Sequence, residues 1–281
     1  MLLAKLHQAP GLSGGVTRLL RCLRSAVHVL LVALLLPVAQ AVTLVVEPVA
    51  DTSIYRGDGF DNISDGAGPH IWVATTAGGV TRRALVRFDL SAIPTGSQIN
   101  SATLRIFESR SRDVHAVALH RLTRRWGESA SNGGDAGVGA PAAPGDATWT
   151  VAFFPGTPWA TPGGDFVPVP SAQADIGPQG GYYSWSSTPA LVADVKAWVD
   201  APAANFGWIM IGDEVTIPPK AKRFSSRQSS VPSVRPSLTI DYTPPPEADA
   251  AEVPLPAWAL GLLGVGLAAC VGRRRNTARR Y

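Results

Sequence analysis

Arg83-Ala84-Leu85-Val86-Arg87-Phe88-Asp89-Leu90-Ser91-Ala92-Ile93-Pro94, followed closely by Ala102-Thr103-Leu104-Arg105-Ile106-Phe107, decides how the rest of the chain is read. In the first segment Leu85 and Arg87 share one face and Val86 and Phe88 the other. In the second, Leu104 and Ile106 alternate with Thr103, Arg105 and Phe107. That two-residue period belongs to half-buried strands with one wetter face.

Outward from this pair the texture repeats. Short apolar runs are separated by Gly, Pro, Asn, Asp and Ser: Thr43–Val46, Ile71–Val73, His115–Leu119, Trp208–Ile211 and Ser237–Tyr242 are further strand candidates. Leu191, Val195, Trp198 and Val199 instead recur at helical intervals, which predicts one short helix over 191–201, introduced by Ser187-Thr188-Pro189 and ended by Pro202. Many strands and one helix make a sandwich, because two apolar sheet faces must cover each other. The expected fold is an all-β, jelly-roll-like antiparallel β-sandwich. Between Trp126 and Tyr182 the chain is rich in Gly and Pro. This is too long for an ordinary connection, and its tryptophans favour packing over the sandwich rather than disorder.

The two ends read differently. Arg18, Arg21 and Arg24 precede the apolar run Ala26–Leu36, then Pro37 and Ala39-Gln40-Ala41, the basic, apolar, cleavable order of a signal peptide over 1–41. A Pro-, Ala- and acid-rich linker over 244–252 leads to Val253-Pro254-Leu255-Pro256, an apolar run Ala257–Val271 and Arg273-Arg274-Arg275. At 1.5 Å per residue that run reaches roughly 23 Å, short of a bilayer core of about 30 Å, so it suits a transient inner-membrane anchor with its arginines in the cytoplasm. The arrangement resembles the PEP-CTERM class of sorting signals in its VPLPA form, with Leu255 where the commoner form has Glu. The resemblance implies signal peptidase and an exosortase-type protease as processing partners, and delivery to the cell surface or extracellular matrix.

Formal net charge is +4, but nine of the 25 basic residues and three of the 21 acidic ones lie outside 42–246, leaving the body at −2. The positive balance therefore belongs to the ends and points to no nucleic-acid partner. Both cysteines, Cys22 and Cys270, lie in the ends too, so the expected domain, 42–243, has no disulfide and must rely on its own core.

Three segments come in order along the body: Ala50-Asp51-Thr52-Ser53-Ile54 with Asn62; Arg83–Pro94 continuing to Arg105; and Asp194-Val195 and Trp198-Val199 through Asn205–Trp208, Phe224-Ser225-Ser226-Arg227 and Arg235–Ile240. Together they resemble the DNRLRE family, which is related to disaggregatase and overlaps a class of carbohydrate-binding modules. Gln228 stands where that pattern commonly has Glu. The resemblance implies a sandwich that binds polysaccharide without turnover. A polysaccharide hydrolase or lyase, or a purely architectural surface protein, is the alternative.

Sugar recognition needs flat rings to stack on pyranose faces and charged groups for the hydroxyls. Trp126, Trp149, Trp159 and Trp185 are the candidate rings, while Trp72, Trp198 and Trp208 sit in core-like runs. Arg121, Arg124, Arg125, Lys220, Lys222 and Arg223 are candidates to line a groove for an acidic exopolysaccharide. Asp51, Asp58, Asp61, Asn62 and Asp65 place hard oxygen ligands close together, the donor set of a structural calcium ion; no other cofactor is required. No catalytic motif is present, and His115 and His120, five apart in a strand, face opposite sides.

Overall fold

The computed structural model describes residues 40–215 and 220–246. Ala39 of the cleavage pattern, the motif Val253-Pro254-Leu255-Pro256, the apolar run 257–271 and Arg273 to Arg275 lie outside the described residues. Among those described, no helix is long and apolar enough to cross a membrane.

In chain order the strands are β1 (Val42–Val46), β2 (Pro48–Arg56), β3 (Ile63–Ser64), β4 (His70–Thr75), β5 (Thr81–Phe88), β6 (Gln98–Arg110), β7 (His115–Arg121), β8 (Ala140–Pro141), β9 (Val151–Phe153), β10 (Thr157–Pro158), β11 (Ala172–Ile176), β12 (Gly181–Trp185), β13 (Trp208–Ile211), β14 (Lys222–Ser225) and β15 (Ser237–Thr243), with α1 spanning Pro189–Asp200. In the first sheet, long β6 pairs along one edge with β12 and along the other with β14 and then β15; β4 lies beyond β14 and β1 beyond β15. The second sheet runs β11-β7-β13-β5-β2, continued by β3 and β8. All these pairings are antiparallel. Among the described residues the fold is the expected all-β sandwich, with one α-helix.

β4 belongs to both sheets. His70 to Val73 pair with β14, while Ala74 and Thr75 pair with β5. The crossing falls at Ala74, a non-glycine residue in the left-handed region (φ 67°). Such a conformation costs about 1 kcal/mol and persists because the pairings on either side fix it.

The alternation read from the sequence builds the core. Ala84, Val86 and Phe88 of β5 meet Leu104 and Ile106 of β6, Val117 and Leu119 of β7, Trp208 and Met210 of β13, and Phe224 of β14 between the sheets. α1 closes one side with Leu191, Val195, Trp198 and Val199. Its first turn is capped by Thr188, whose hydroxyl accepts from the Leu191 N–H (3.0 Å) and donates to the Ser171 carbonyl (2.5 Å). Thr188→Ala removes both bonds, and urea denaturation is expected to show a loss of about 1–2 kcal/mol.

Leu85 of β5 and Ile209 of β13 point the other way, out of the sandwich. There they meet Leu122, Trp126, Ala147, Trp149, Ala152 and Trp159 in a second apolar cluster. The Gly- and Pro-rich segment is thus folded over the outer face of the second sheet. It is held by β3–β8 pairing, the Leu122–Phe166 bridge and main-chain bonds from Thr123 to Asp165 and from Gly127 to Ala152.

Candidate functional site

Where β4 changes sheets, the sandwich end becomes polar and opens into a cleft of about 230 Å³. Trp72, Thr76, Ala77, Arg82, Arg110, Ser111, Arg112, Ala136 and Ala221 line it, with no carboxylate among them. Three arginines converge from different elements: Arg82 from β5, Arg110 from the end of β6, and Arg112 from the turn into β7. Arg110 and Arg112 are exposed, and neither is paired with a described acid.

Arg82 is buried in the floor. Its guanidinium carbon stands 4.7 Å from the centre of the Trp72 ring and 5.6 Å from that of Tyr55. Burial pushes its pKa down, the Arg110 charge pushes the same way, and Tyr55 and Asp65 oppose the shift. Arginine stays cationic even so. Arg82 Nε and Trp72 Nε1 are both buried without an acceptor in the described structure. Arg223 leans over Trp72 (5.8 Å) from the neighbouring strand and donates from Nε to Ser109 Oγ (2.9 Å). The loop 134–139 lies directly on the indole: at Gly137 (φ 70°) a β-carbon would fall 2.2 Å from the Trp72 ring, so only glycine lets the loop approach this closely.

The other cations nearby are already engaged, and Glu108, buried with neither oxygen hydrogen-bonded in the described structure, offsets the charge of Lys222 and Arg223. Lys222, fully buried, donates to Ser111 Oγ (2.7 Å) and to the Asp113 carbonyl, and Lys220 pairs with the Asp113 carboxylate (2.5 Å). Burial lowers the Lys222 pKa, against the pull of Asp113 and Glu108. His70, held below its ordinary pKa by burial and by Arg223, meets Asp135 at 3.1 Å. The cations in the cleft lining are therefore Arg82, Arg110 and Arg112.

The six basic residues expected to share a groove fall into two groups. Lys222 and Arg223 stand behind the cleft wall beside Ala221, Ser111 and Trp72, and Lys220 is tied in through Asp113. Arg121 instead pairs with Asp194 (3.4 Å), Arg124 pairs with Asp165 (3.3 Å), and Arg125 is exposed on the covering segment. A wider, open depression there, about 670 Å³, takes in Arg124, but Asp165 lines it too and neutralises that cation. The smaller cleft is the better anion site because no carboxylate lines it and Arg110 and Arg112 have no described acid partner.

The four candidate stacking tryptophans are buried, which corrects the expectation that they offer ring faces to a ligand. Trp126, Trp149 and Trp159 belong to the second cluster; Trp126 donates to the Phe206 carbonyl (2.7 Å), Trp159 to that of Thr148 (2.8 Å), and the Trp149 ring has Arg83 (4.6 Å) and Arg56 (5.2 Å) against it. Trp185 is wholly inside the sandwich, bonded to the Val117 carbonyl (2.7 Å) and edge-on to Phe224. Trp198 and Trp208 are core, as expected. Trp72 is buried too, but it belongs to the wall of the cleft rather than to either apolar cluster.

Nor are the five oxygen-bearing residues assembled. Asp51 and Asp65 are buried at the polar end: Asp51 Oδ2 accepts from the Arg227 N–H (2.7 Å), and Asp65 accepts from the Gly133 N–H (2.8 Å) and the Tyr55 hydroxyl (3.4 Å). Asp58, Asp61 and Asn62 are exposed on the turn after β2. Among the described residues no group of three or more His, Cys, Asp or Glu side chains is placed to hold a metal ion. Glu128, which the sequence did not single out, joins Asp51: its Oε1 accepts from the Asp51 N–H (3.2 Å), Arg227 Nε (2.9 Å) and Gln228 Nε2 (2.7 Å), and its Oε2 from Arg227 Nη2 (2.8 Å).

A disulfide-free antiparallel sandwich with a basic, tryptophan-walled cleft at one end has the build of a binding module. Comparison with known families agrees: the chain is similar to carbohydrate-binding module family 96 over residues 42–147. The matched stretch runs from β1 through β8 and contains Trp72, Arg82, Arg110 and Arg112. No curated protein matches the chain.

Proposed function

We propose that this is an exported surface or matrix protein that holds an acidic polysaccharide in the basic cleft without turning it over. The single observation that carries this reading is the gathering of Arg82, Arg110 and Arg112 around Trp72 in a cleft lined by no carboxylate. Cations with low-dielectric walls focus potential and draw in a polyanion. Planar guanidinium forks match the carboxylates of a uronate chain. The similarity to a carbohydrate-binding family supports sugar as the ligand, and the arginines favour an acidic one. The leader and sorting tail read from the sequence supply the route to the surface, through signal peptidase and an exosortase-type protease.

Affinity electrophoresis of the full chain in gels containing polyuronate or neutral glucan tests this. Retardation is expected in the first gel and not in the second, weakening with added salt. A charged hydrogen bond is worth about 1.5–3 kcal/mol, so Arg112→Ala is expected to weaken uronate binding roughly 10- to 100-fold. Equal retardation by both gels, or none in either, would overturn the proposal. Reducing sugar released from the polyuronate would replace it with an enzyme.

A further inference from the structure

Trp72, in the cleft lining, faces out of the first sheet, because Ile71 and Val73 on either side of it face the core, and a second feature stands on that same face. Tyr182 of β12 is 44% exposed, the one ring among the large exposed apolar side chains of the described residues. Alternation along β12 sends Trp185 into the core and Tyr182 out. Its register partner is Phe107 of β6, which it meets edge-on at 5.2 Å and 80°. The Arg105 guanidinium carbon lies 3.8 Å from the ring centre, and the phenol hydroxyl donates to the Ser233 carbonyl (2.5 Å).

An exposed ring held at three points gains little from burial, yet it is already ordered, so a ligand stacking on it loses almost no further side-chain entropy. Tyr182 and the cleft are joined by a continuous row. Ser109 of β6 receives the Arg223 bond, and Arg223 faces Trp72 across the β14–β4 pair. Three strand spacings separate β12 from β4, roughly 14 Å at the usual distance between strands. That row has room for several sugar units rather than one.

Resting on the cleft as an acidic-polysaccharide site, we propose that Tyr182 with Arg105 forms a second subsite for the same chain. A sugar ring stacks on the part of the phenol that Arg105 leaves open, and the guanidinium adds the positive charge that favours an acidic unit there. The protein then grips an extended stretch of polymer running from the cleft across the outer face of the first sheet, not a chain end.

Titration calorimetry of the full chain with uronate oligomers of increasing length tests this. Wild-type affinity is expected to rise with length by about tenfold once the oligomer reaches both subsites, the scale of one stacking contact. Tyr182→Ala is expected to remove that rise and leave the shortest bound oligomers unaffected. Arg112→Ala is expected to weaken every length. Tyr182→Phe separates binding from a structural role: it loses the bond to Ser233 but keeps the ring, so the length dependence should survive. Tyr182→Ala protein that melts like wild type and keeps the rise overturns the subsite while leaving the cleft intact. A wild-type protein that binds no uronate of any length overturns both.

Discussion

Urea denaturation at pH 5 and pH 9 is expected to find the domain markedly less stable at the higher pH, with Asp51→Asn removing most of the difference. Asp51, within β2, is wholly buried. Loss of water raises its pKa most, the negative charges of Glu128 and Asp65 add to the rise, and the Arg227 N–H and guanidinium oppose it; the value is pushed up to about 8. Its Oδ1 finds no hydrogen-bond partner in the described structure. A carboxyl raised on folding binds its proton in the native state after the unfolded chain has released it. From about pH 4 to about pH 8 the unfolded state therefore holds fewer protons, and stability falls as pH rises, levelling above 8. A shift of this size corresponds to something on the order of 5 kcal/mol. Asp65, raised to about 6 chiefly by burial, acts in the same direction. His70, whose pKa is lowered, acts in the opposite direction, losing stability as pH falls below its unfolded value of about 6.5. Asn at position 51 is neutral at every pH and keeps an oxygen for the Arg227 N–H. Parallel pH profiles for the two proteins would show that Asp51 is ionised throughout.

Every strand read from aliphatic alternation is present, and α1 begins two residues before the predicted start, because Pro189 and Ala190 form its first turn. β2 was not read as a strand, although it is central to the second sheet and almost entirely buried. Its inward positions are Asp51, Ser53 and Tyr55, which pack into a polar interior, so the chain there looks like a loop. β14 hides for the same reason, sending Lys222 inward beside Phe224. Hydrophobic periodicity detects a strand only where its buried face is apolar.

The cleft was less legible than the fold. Trp72 was read as core from the run Ile71-Trp72-Val73, yet its neighbours point into the sandwich while it faces Arg82 and Arg223. Arg82, Arg110 and Arg112 are brought together only by the β4 crossover and the β6–β7 turn. One local signal was available: Arg110-Ser111-Arg112 at a strand end places two cations two residues apart, a spacing that turns both to one side. Trp126, Trp149 and Trp159 misled because they belong to the Gly- and Pro-rich segment, where rings serve to pack it over the sheet. In the structure it has a core of its own, and its rings are spent on holding it to Leu85 and Ile209.

Glu128→Ala is expected to be among the most damaging single changes, because this carboxylate joins the covering segment to β2 and to the chain after β14. It is 8% exposed and receives a two-pronged bond from Arg227 as well as bonds from Gln228 and the Asp51 main chain. Removing one partner of a buried pair costs about 3–5 kcal/mol when the other charge is stranded. Arg227 is itself 36% exposed and recovers some hydration, which places the expected loss nearer 2–4 kcal/mol by urea denaturation. Glu128→Gln keeps an oxygen for the donors and is expected to lose less. The charge has a second consequence, because Glu128 is one of the groups that raise Asp51. In Glu128→Gln the Asp51 pKa should fall and the steep part of the stability profile should move to lower pH, while Arg227→Ala, which removes a cation facing Asp51, should move it to higher pH. Opposite displacements would tie the loss of stability at high pH to this latch. Displacements of the same sign, or none, would mean that burial alone governs Asp51 and that the latch only joins the three segments.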